Sequence, residues 1–201
     1  MNEHKLSPGF DDPVHGAQSI FRALLEAMSR PGRKVTLDDL PEAPSSLPPS
    51  LAAIALTLFD ADTKVYLAGQ LDDTDIRNYI SFHCGAPYAG SIEEADFVLA
   101  ATADDLPAFS ELRKGEVDFP DRSATVFVAI ENLSGGEPVE LSGPGIKGTM
   151  SFGASDLTSH FWQQMQANQL RYPLGVDVVL CEEHHLAAIP RGTRIQFAEK
   201  G

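Results

Sequence analysis

Apolar residues recur at helical spacing in several parts of the chain. The first stripe begins after Asp12-Pro13, a residue pair typical of a helix start, and Pro31-Gly32 ends it. We expect the apolar residues of this stripe to face the core: Val14, Ala17, Phe21, Leu24, Leu25 and Met28. The predicted helices cover 14–29, 51–59, 74–83, a short segment from Asp104 to Gly115 and a segment that starts at Ser155-Asp156.

Short apolar or β-branched runs predict the strands. They cover 35–37, 65–68, 97–100, 125–130, 139–141, 176–181 and 186–189. The run 125–130 is apolar on both faces, which is typical of a strand in the middle of a covered sheet. Ser134-Gly135-Gly136 predicts a hairpin that leads into 139–141, and Glu182-Glu183-His184 predicts a second hairpin between the last two runs.

Helices that alternate with strands predict an α/β fold with helices on both faces of a sheet. The two hairpins make that sheet mixed rather than purely parallel. The length of 201 residues suits one domain, 1–201, and we expect 1–11 to form a flexible N-terminal tail.

The charge balance excludes several classes of partner. With 29 acidic and 15 basic residues, the chain has a formal net charge of −14, which argues against general affinity for nucleic acid or anionic membrane. No apolar run approaches the length of a membrane span. Cys84 and Cys181 lie far apart, outside any CxxC pair, and no secretory leader pattern opens the chain. The sequence therefore predicts a cytoplasmic protein with two reduced thiols.

Two motifs imitate known sites. Residues 143–148 have the spacing G-x-G-x-x-G, but no helix starts there and no acid follows at the distance that a dinucleotide site needs, so we interpret them as a turn. Cys181, His184 and His185 contain metal-ligand types, but they fall at a predicted hairpin tip without further ligands. We predict no metal site, and we interpret His83 beside Cys84 as structural.

Asp177 lies inside an apolar strand run, where a carboxylate must face water, accept hydrogen bonds or pair with a cation. Arg171, a few residues earlier, is one candidate for that cation. We therefore regard five residues as structural candidates: Arg171, Gly175, Asp177, Gly143 and Gly145.

Two groups of basic residues are candidates for anion binding or for an interface. Arg30 and Arg33 follow the first helix, and Arg191 and Arg194 follow the last hairpin. Guanidinium groups match the geometry of phosphate and carboxylate. The alternatives are that Arg30 offsets the helix dipole and that the later pair serves solubility or subunit contact.

Five segments resemble one family. They are Phe21–Gly32, Phe82–Pro87, Leu141–Ile146, Tyr172–Asp177 and Ala188–Arg191. Together, in this order, they are similar to the PhnH subunit family of bacterial carbon–phosphorus lyase. The resemblance runs from about Asp12 to Ile195 and is loose in the Pro-rich loop and over 104–121.

The resemblance implies a three-layer α/β/α sandwich similar to a shortened pyridoxal-phosphate-dependent transferase that lacks the cofactor. None of the six lysines has an obvious partner set for a Schiff base, so we predict no cofactor. The lysines are Lys5, Lys34, Lys64, Lys114, Lys147 and Lys200. Two cysteines are too few for an iron–sulfur cluster, which assigns any radical step to another chain.

The family also implies a homodimer inside a larger core complex. That complex uses ATP to form alpha-D-ribose 1-methylphosphonate 5-triphosphate and releases adenine. The first hypothesis is therefore a scaffold or accessory subunit that contacts the other subunits and meets ATP or phosphonate through the complex. Two alternatives remain: a stand-alone small-molecule transferase or lyase with a remodelled cofactor pocket, and a binding module for a metabolite.

Overall fold

A computed structural model describes residues 7–198. The described residues form four α-helices: α1 (Pro13–Ser29), α2 (Pro49–Leu58), α3 (Thr74–Cys84) and α4 (Ser159–Gln169). They also form nine strands: β1 (Val35–Thr36), β2 (Val65–Ala68), β3 (Phe97–Ala100), β4 (Thr125–Ala129), β5 (Val139–Ser142), β6 (Thr149–Phe152), β7 (Asp177–Cys181), β8 (His185–Ile189) and β9 (Arg194–Phe197).

The main sheet has six strands in the order β1-β8-β7-β4-β3-β2. Strands β2, β3, β4 and β7 are parallel, whereas β8 and β1 run antiparallel to their neighbours. The sheet is therefore mixed, as the sequence predicts. Strand β4 lies between two parallel neighbours with both faces covered, which explains its continuous apolar run.

The side chains of each central strand alternate between two hydrophobic clusters. Leu99 and Phe127 point to a cluster that contains residues of α1, α2 and α3. Val98 and Val126 point to the other cluster, where α4 lies beside a second sheet with the order β6-β5-β9. The α/β class with a mixed sheet is confirmed, but a three-stranded sheet shares the second covering layer with one helix. The likeness to a pyridoxal-phosphate-dependent transferase stays a prediction.

Helix α1 has the predicted bounds but turns only part of the predicted face inward. Its buried residues are Gly16, Ile20, Leu24 and Ala27. Of the stripe predicted to face the core, Val14, Phe21 and Leu25 are exposed. Two of the buried positions hold small residues, Gly16 and Ala27, and a search for large apolar residues at helical spacing does not detect them. The prediction of the inward face is confirmed for Leu24, which is buried, and for Ala17 and Met28, which pack against the core. It is wrong for Val14, Phe21 and Leu25, which leave an apolar stripe on the surface.

Three further predictions of elements are corrected. The helix predicted after Asp104 is a single 3₁₀ turn, Ala103–Asp105, followed by irregular chain. Strand β5 pairs with β6 and β9, so the hairpin predicted at Ser134-Gly135-Gly136 does not form. Helix α4 starts after its N-cap Thr158, later than the predicted Ser155-Asp156.

The N-terminal tail predicted over 1–11 lies partly outside the described residues. In the described part, Gly9 pairs with Glu42 in an isolated bridge. Phe10 is buried against Gly16, where an added Cβ would lie 2.6 Å from the Phe10 ring. Because Gly16 leaves room for this ring, residues 9 and 10 are held against the domain rather than free. Across 7–198, no helix is both long enough and apolar enough to cross a bilayer.

Candidate functional site

An ion pair joins Asp177, the buried first residue of β7, to Arg191, a largely buried residue just after β8. The Arg191 Nε donates to Asp177 Oδ1 at 3.1 Å, and Nη2 donates to Oδ2 at 2.5 Å. The backbone N–H of Arg191 donates to Oδ1 at 2.8 Å. Val178 lies opposite Ile189 in the β7–β8 ladder, so strand pairing brings the two residues together. The partner that this carboxylate requires is thus Arg191 rather than the nearer Arg171.

Arg191 also binds the loop around Pro120, which is distant in sequence, to the end of the sheet where β7 begins. Its Nη1 donates to the Pro120 carbonyl at 2.6 Å. The Gly175 N–H donates to the Lys114 carbonyl at 2.9 Å. Two surface segments, residues 114–122 and 170–175, are therefore held next to each other, and we call them the paired loops. The predicted role of Arg191 toward an external anion stays a prediction, and Asp177 already occupies one edge of its guanidinium.

Asn168 of α4 fixes the loop that leads into β7. Its side-chain Nδ2 donates to the Val176 carbonyl at 2.8 Å, and its Oδ1 accepts from the Val176 N–H at 2.9 Å. Gly175 has φ +119°, and a Cβ there would lie 2.6 Å from Asn168 Oδ1. Glycine is therefore required at 175 because of both its backbone conformation and this contact. The sequence carries no signal that singles out Asn168.

The G-x-G-x-x-G segment is the connection between β5 and β6, which confirms that it is a turn. A Cβ on Gly145, whose φ is +82°, would collide with the Ser29 carbonyl oxygen at the end of α1. A Cβ on Gly143 would lie 3.0 Å from the Gly192 carbonyl oxygen. The turn therefore contacts the chain just before Arg30 and the chain just before Arg194, so both predicted basic groups border the same turn.

The basic residues around this turn differ in how they are paired. Arg30 and Arg33 both reach Glu26 Oε1, at 3.6 and 3.8 Å, in exposed and therefore weak ion pairs. Arg194 projects from β9 and is exposed, and it has no ion-pair partner within residues 7–198. Arg171 is exposed in the paired loops. Cationic groups are thus available on this surface, while anion binding by them stays a prediction.

The paired loops expose large apolar side chains that the sequence pattern does not reveal, because they lie outside regular elements. Val117 is 81% exposed and Leu170 is 83% exposed. Phe119 and Tyr172 are also exposed, and the Arg122 guanidinium lies 4.1 Å from the centre of the Phe119 ring. Aromatic residues and arginine are enriched at protein interfaces. Through the bond from Arg191 to Pro120, the Asp177–Arg191 pair therefore supports a surface suited to contact with another protein.

Both thiols are shielded by burial, and His83 has a structural partner. Burial raises the pKa of the Cys84 thiol to about 11 and also raises that of Cys181. Since the thiolate is the reactive form, both groups are poor nucleophiles near neutral pH. His83 Nε2 lies 2.9 Å from the Ser7 carbonyl oxygen. In the described part of the chain, no three His, Cys, Asp or Glu side chains group as metal ligands.

Comparison with known proteins shows which family and which named proteins this chain is similar to. The profile of the family described as "Bacterial phosphonate metabolism protein (PhnH)" matches residues 8–196. A Rhizobium meliloti (strain 1021) protein named "Alpha-D-ribose 1-methylphosphonate 5-triphosphate synthase subunit PhnH" is 35% identical over 190 residues, which cover 94% of this chain and 95% of the relative. A Stutzerimonas stutzeri protein named "Putative C-P lyase subunit protein HtxG" is 32% identical over 183 residues, 90% of this chain and 86% of the relative.

Proposed function

This chain belongs to the PhnH family of bacterial phosphonate metabolism proteins, and from that premise we propose that it is a subunit of the carbon–phosphorus lyase core complex. In this role it supports ATP-dependent formation of alpha-D-ribose 1-methylphosphonate 5-triphosphate with release of adenine. It acts as a scaffold or accessory subunit, and companion chains carry the chemistry. The single observation that carries the proposal is the nearly full-length match to two proteins that are named as subunits.

Features of the structure support a scaffold role. Arg191 has internal partners in Asp177 and the Pro120 carbonyl, and burial suppresses the reactivity of both thiols. The hydrogen bonds from Arg191 to Pro120 and from Gly175 to Lys114 hold the backbone of the paired loops in place. The apolar side chains of these loops remain exposed. A surface whose backbone is already ordered loses little conformational entropy when a partner binds. We propose that the paired loops contact another subunit of the complex.

Coexpression with the other core subunits tests the subunit role. We expect the chain to co-elute with them, and we expect adenine release from ATP in the presence of methylphosphonate to depend on it. Omission of only this chain is the matched control. Elution of the chain by itself, together with unchanged adenine release when it is omitted, would remove the proposal.

We further propose that the chain forms a homodimer in the cytoplasm, where its two free thiols remain reduced. The exposed stripe of α1 supports a contact between two copies. Val14, Phe21 and Leu25 are spaced by seven and four positions, as in the apolar seam of paired helices. A two-fold axis would place the same stripe on both sides of the contact, which satisfies the self-complementarity of an isologous dimer.

Replacement of Phe21 by Glu tests this dimer contact. Light scattering coupled to size exclusion should give the mass of two chains for the parent and of one chain for Phe21→Glu, because a charge at the seam must be desolvated. Phe82→Glu is the matched control, since Phe82 is 67% exposed on α3 and lies outside the stripe. A dimer that is unaffected by Phe21→Glu would rule out this contact.

A further inference from the structure

A cavity of about 540 Å³ opens at the carboxyl ends of three parallel strands, β3, β4 and β7. Its walls come from the chain that follows these strands and from residues 48–50 at the start of α2. Ligands of open α/β sheets bind in crevices at this edge. The residues of the Asp177–Arg191 pair and of the paired loops do not line it, so it is separate from the surface described above.

The start of α2 gives this cavity unused hydrogen-bond donors. Pro48 and Pro49 have no N–H, so the donors at the start of this ten-residue helix are the N–H groups of Ser50 and Leu51. The N-cap Pro48 provides no side-chain cap for them. Ser50, in the same turn, lines the cavity and is only 1% exposed. Within the described residues its hydroxyl has no hydrogen-bond partner. A buried hydroxyl without a partner is costly, and this one lies where the helix dipole favours an oxyanion.

The rim of the cavity is negatively charged, in contrast to the partial positive charge at the start of α2. Its charged lining residues are all carboxylates: Asp104, Glu131, Asp156 and Glu183. Asp156 is held in place because its Oδ2 accepts from the Glu131 backbone N–H and its Oδ1 accepts from the Ser155 hydroxyl at 2.7 Å. Among the described lining residues there is no Lys, Arg or His to balance these charges. A plain anion is therefore repelled at the rim, whereas a cationic group is attracted.

From this arrangement we propose that the cavity binds a small zwitterion. The oxyanion group of the ligand accepts hydrogen bonds from the first turn of α2 and from the Ser50 hydroxyl. Its ammonium group lies among the rim carboxylates, and a short hydrocarbon linker contacts apolar walls such as Ala101, Ala129 and Ile130. Amino carboxylates and aminophosphonates share this chemistry. The site belongs to the chain itself and does not depend on its role as a subunit.

Calorimetry on the isolated full chain tests the proposal with matched probes. The zwitterions are 2-aminoethylphosphonate and β-alanine; ethylphosphonate and propionate lack the ammonium group, and ethylamine lacks the oxyanion. We expect at least one zwitterion to bind about tenfold or more tightly than its truncated analogues, and the zwitterion that binds identifies the source of the oxyanion. Equal binding of ethylphosphonate or ethylamine, or no heat from either zwitterion, would overturn the proposal.

Variants of the lining residues test whether the zwitterion binds in this cavity. Glu131→Gln and Glu183→Gln should each weaken zwitterion binding several-fold, since each removes a rim charge. Ser50→Ala should weaken it while the melting temperature stays the same or rises, because the hydroxyl has no partner to lose. Asp62→Asn is the control, an exposed acid outside the cavity. If this control weakens binding as much as the rim variants, net charge accounts for the effect and the site is refuted.

Discussion

The Asp177–Arg191 pair is the residue-scale feature on which the candidate surface depends. Its side chains are only 12% and 14% exposed, so neither charge is fully hydrated. Loss of one partner would leave the other charge in a largely dry environment, which is far more costly than loss of a surface pair. The pair also positions Pro120 through Arg191, so it couples core stability to the shape of the paired loops.

Asp177→Ala tests this coupling. We expect the free energy of unfolding in urea to fall by about 3–5 kcal/mol, because Arg191 would keep a charge without its carboxylate. Asp62→Asn, at an exposed acid with no buried partner, should leave the stability close to that of the parent. A variant as stable as the parent would show that the carboxylate contributes nothing to the fold.

The sequence predicts that the Asp177 carboxylate needs a cation or hydrogen-bond donors, but it does not identify them. A carboxylate in an apolar run signals that a donor or cation must be near, yet proximity along the chain favours Arg171, which is not the partner. Only the antiparallel β7–β8 ladder selects Arg191. Asn168 carries no signal at all, since its two bonds to Val176 depend on how the end of α4 meets β7.

At the scale of elements, the turn between β5 and β6 shows how glycine positions join two parts of the fold. Gly145 and Gly148 have similar positive φ angles, +82° and +78°. An added Cβ on Gly145 would meet Ser29 and Pro31, whereas nothing lies within 4 Å of a Cβ on Gly148. The two glycines thus share a conformational requirement and differ in close contact.

Alanine at each position separates these effects. Both variants should lose stability because of the left-handed conformation, and Gly145→Ala should lose at least about 1 kcal/mol more than Gly148→Ala, because the turn must move away from α1. Urea titration of both variants measures the difference. Equal losses of stability in the two variants would mean that the contact between the turn and the end of α1 does not constrain residue 145.

Element prediction succeeds where one pattern dominates and fails where long-range contacts decide. Strands β2 and β3 have the predicted bounds because their runs are short, apolar and clearly delimited. The segment after Asp104 has helical spacing, but Gln164 of α4 accepts the Phe109 N–H at 2.9 Å and holds the chain in an irregular path. On α1, there are more apolar positions than one face can bury, and the buried Gly16 and Ala27 carry no strong hydrophobic signal.

At the scale of the whole molecule, two surfaces suited to contact lie on an acidic protein. The net charge of −14 keeps nonspecific association low, so specific contact depends on shape and on a few exposed apolar residues. The stripe of α1 and the paired loops supply such residues on different elements. The architecture class follows from the sequence, whereas the position of these surfaces becomes apparent only when the buried faces are known.

The most direct test of the subunit proposal is reconstitution of the core complex with the double variant Leu170→Glu/Tyr172→Glu. Both side chains are exposed, so the fold should be preserved, and a circular dichroism melt checks that it is. The account predicts that the double variant fails to co-elute with its partners and that adenine release falls to the level seen without this chain, while Phe82→Glu behaves like the parent. Normal co-elution and normal adenine release with the double variant would contradict it.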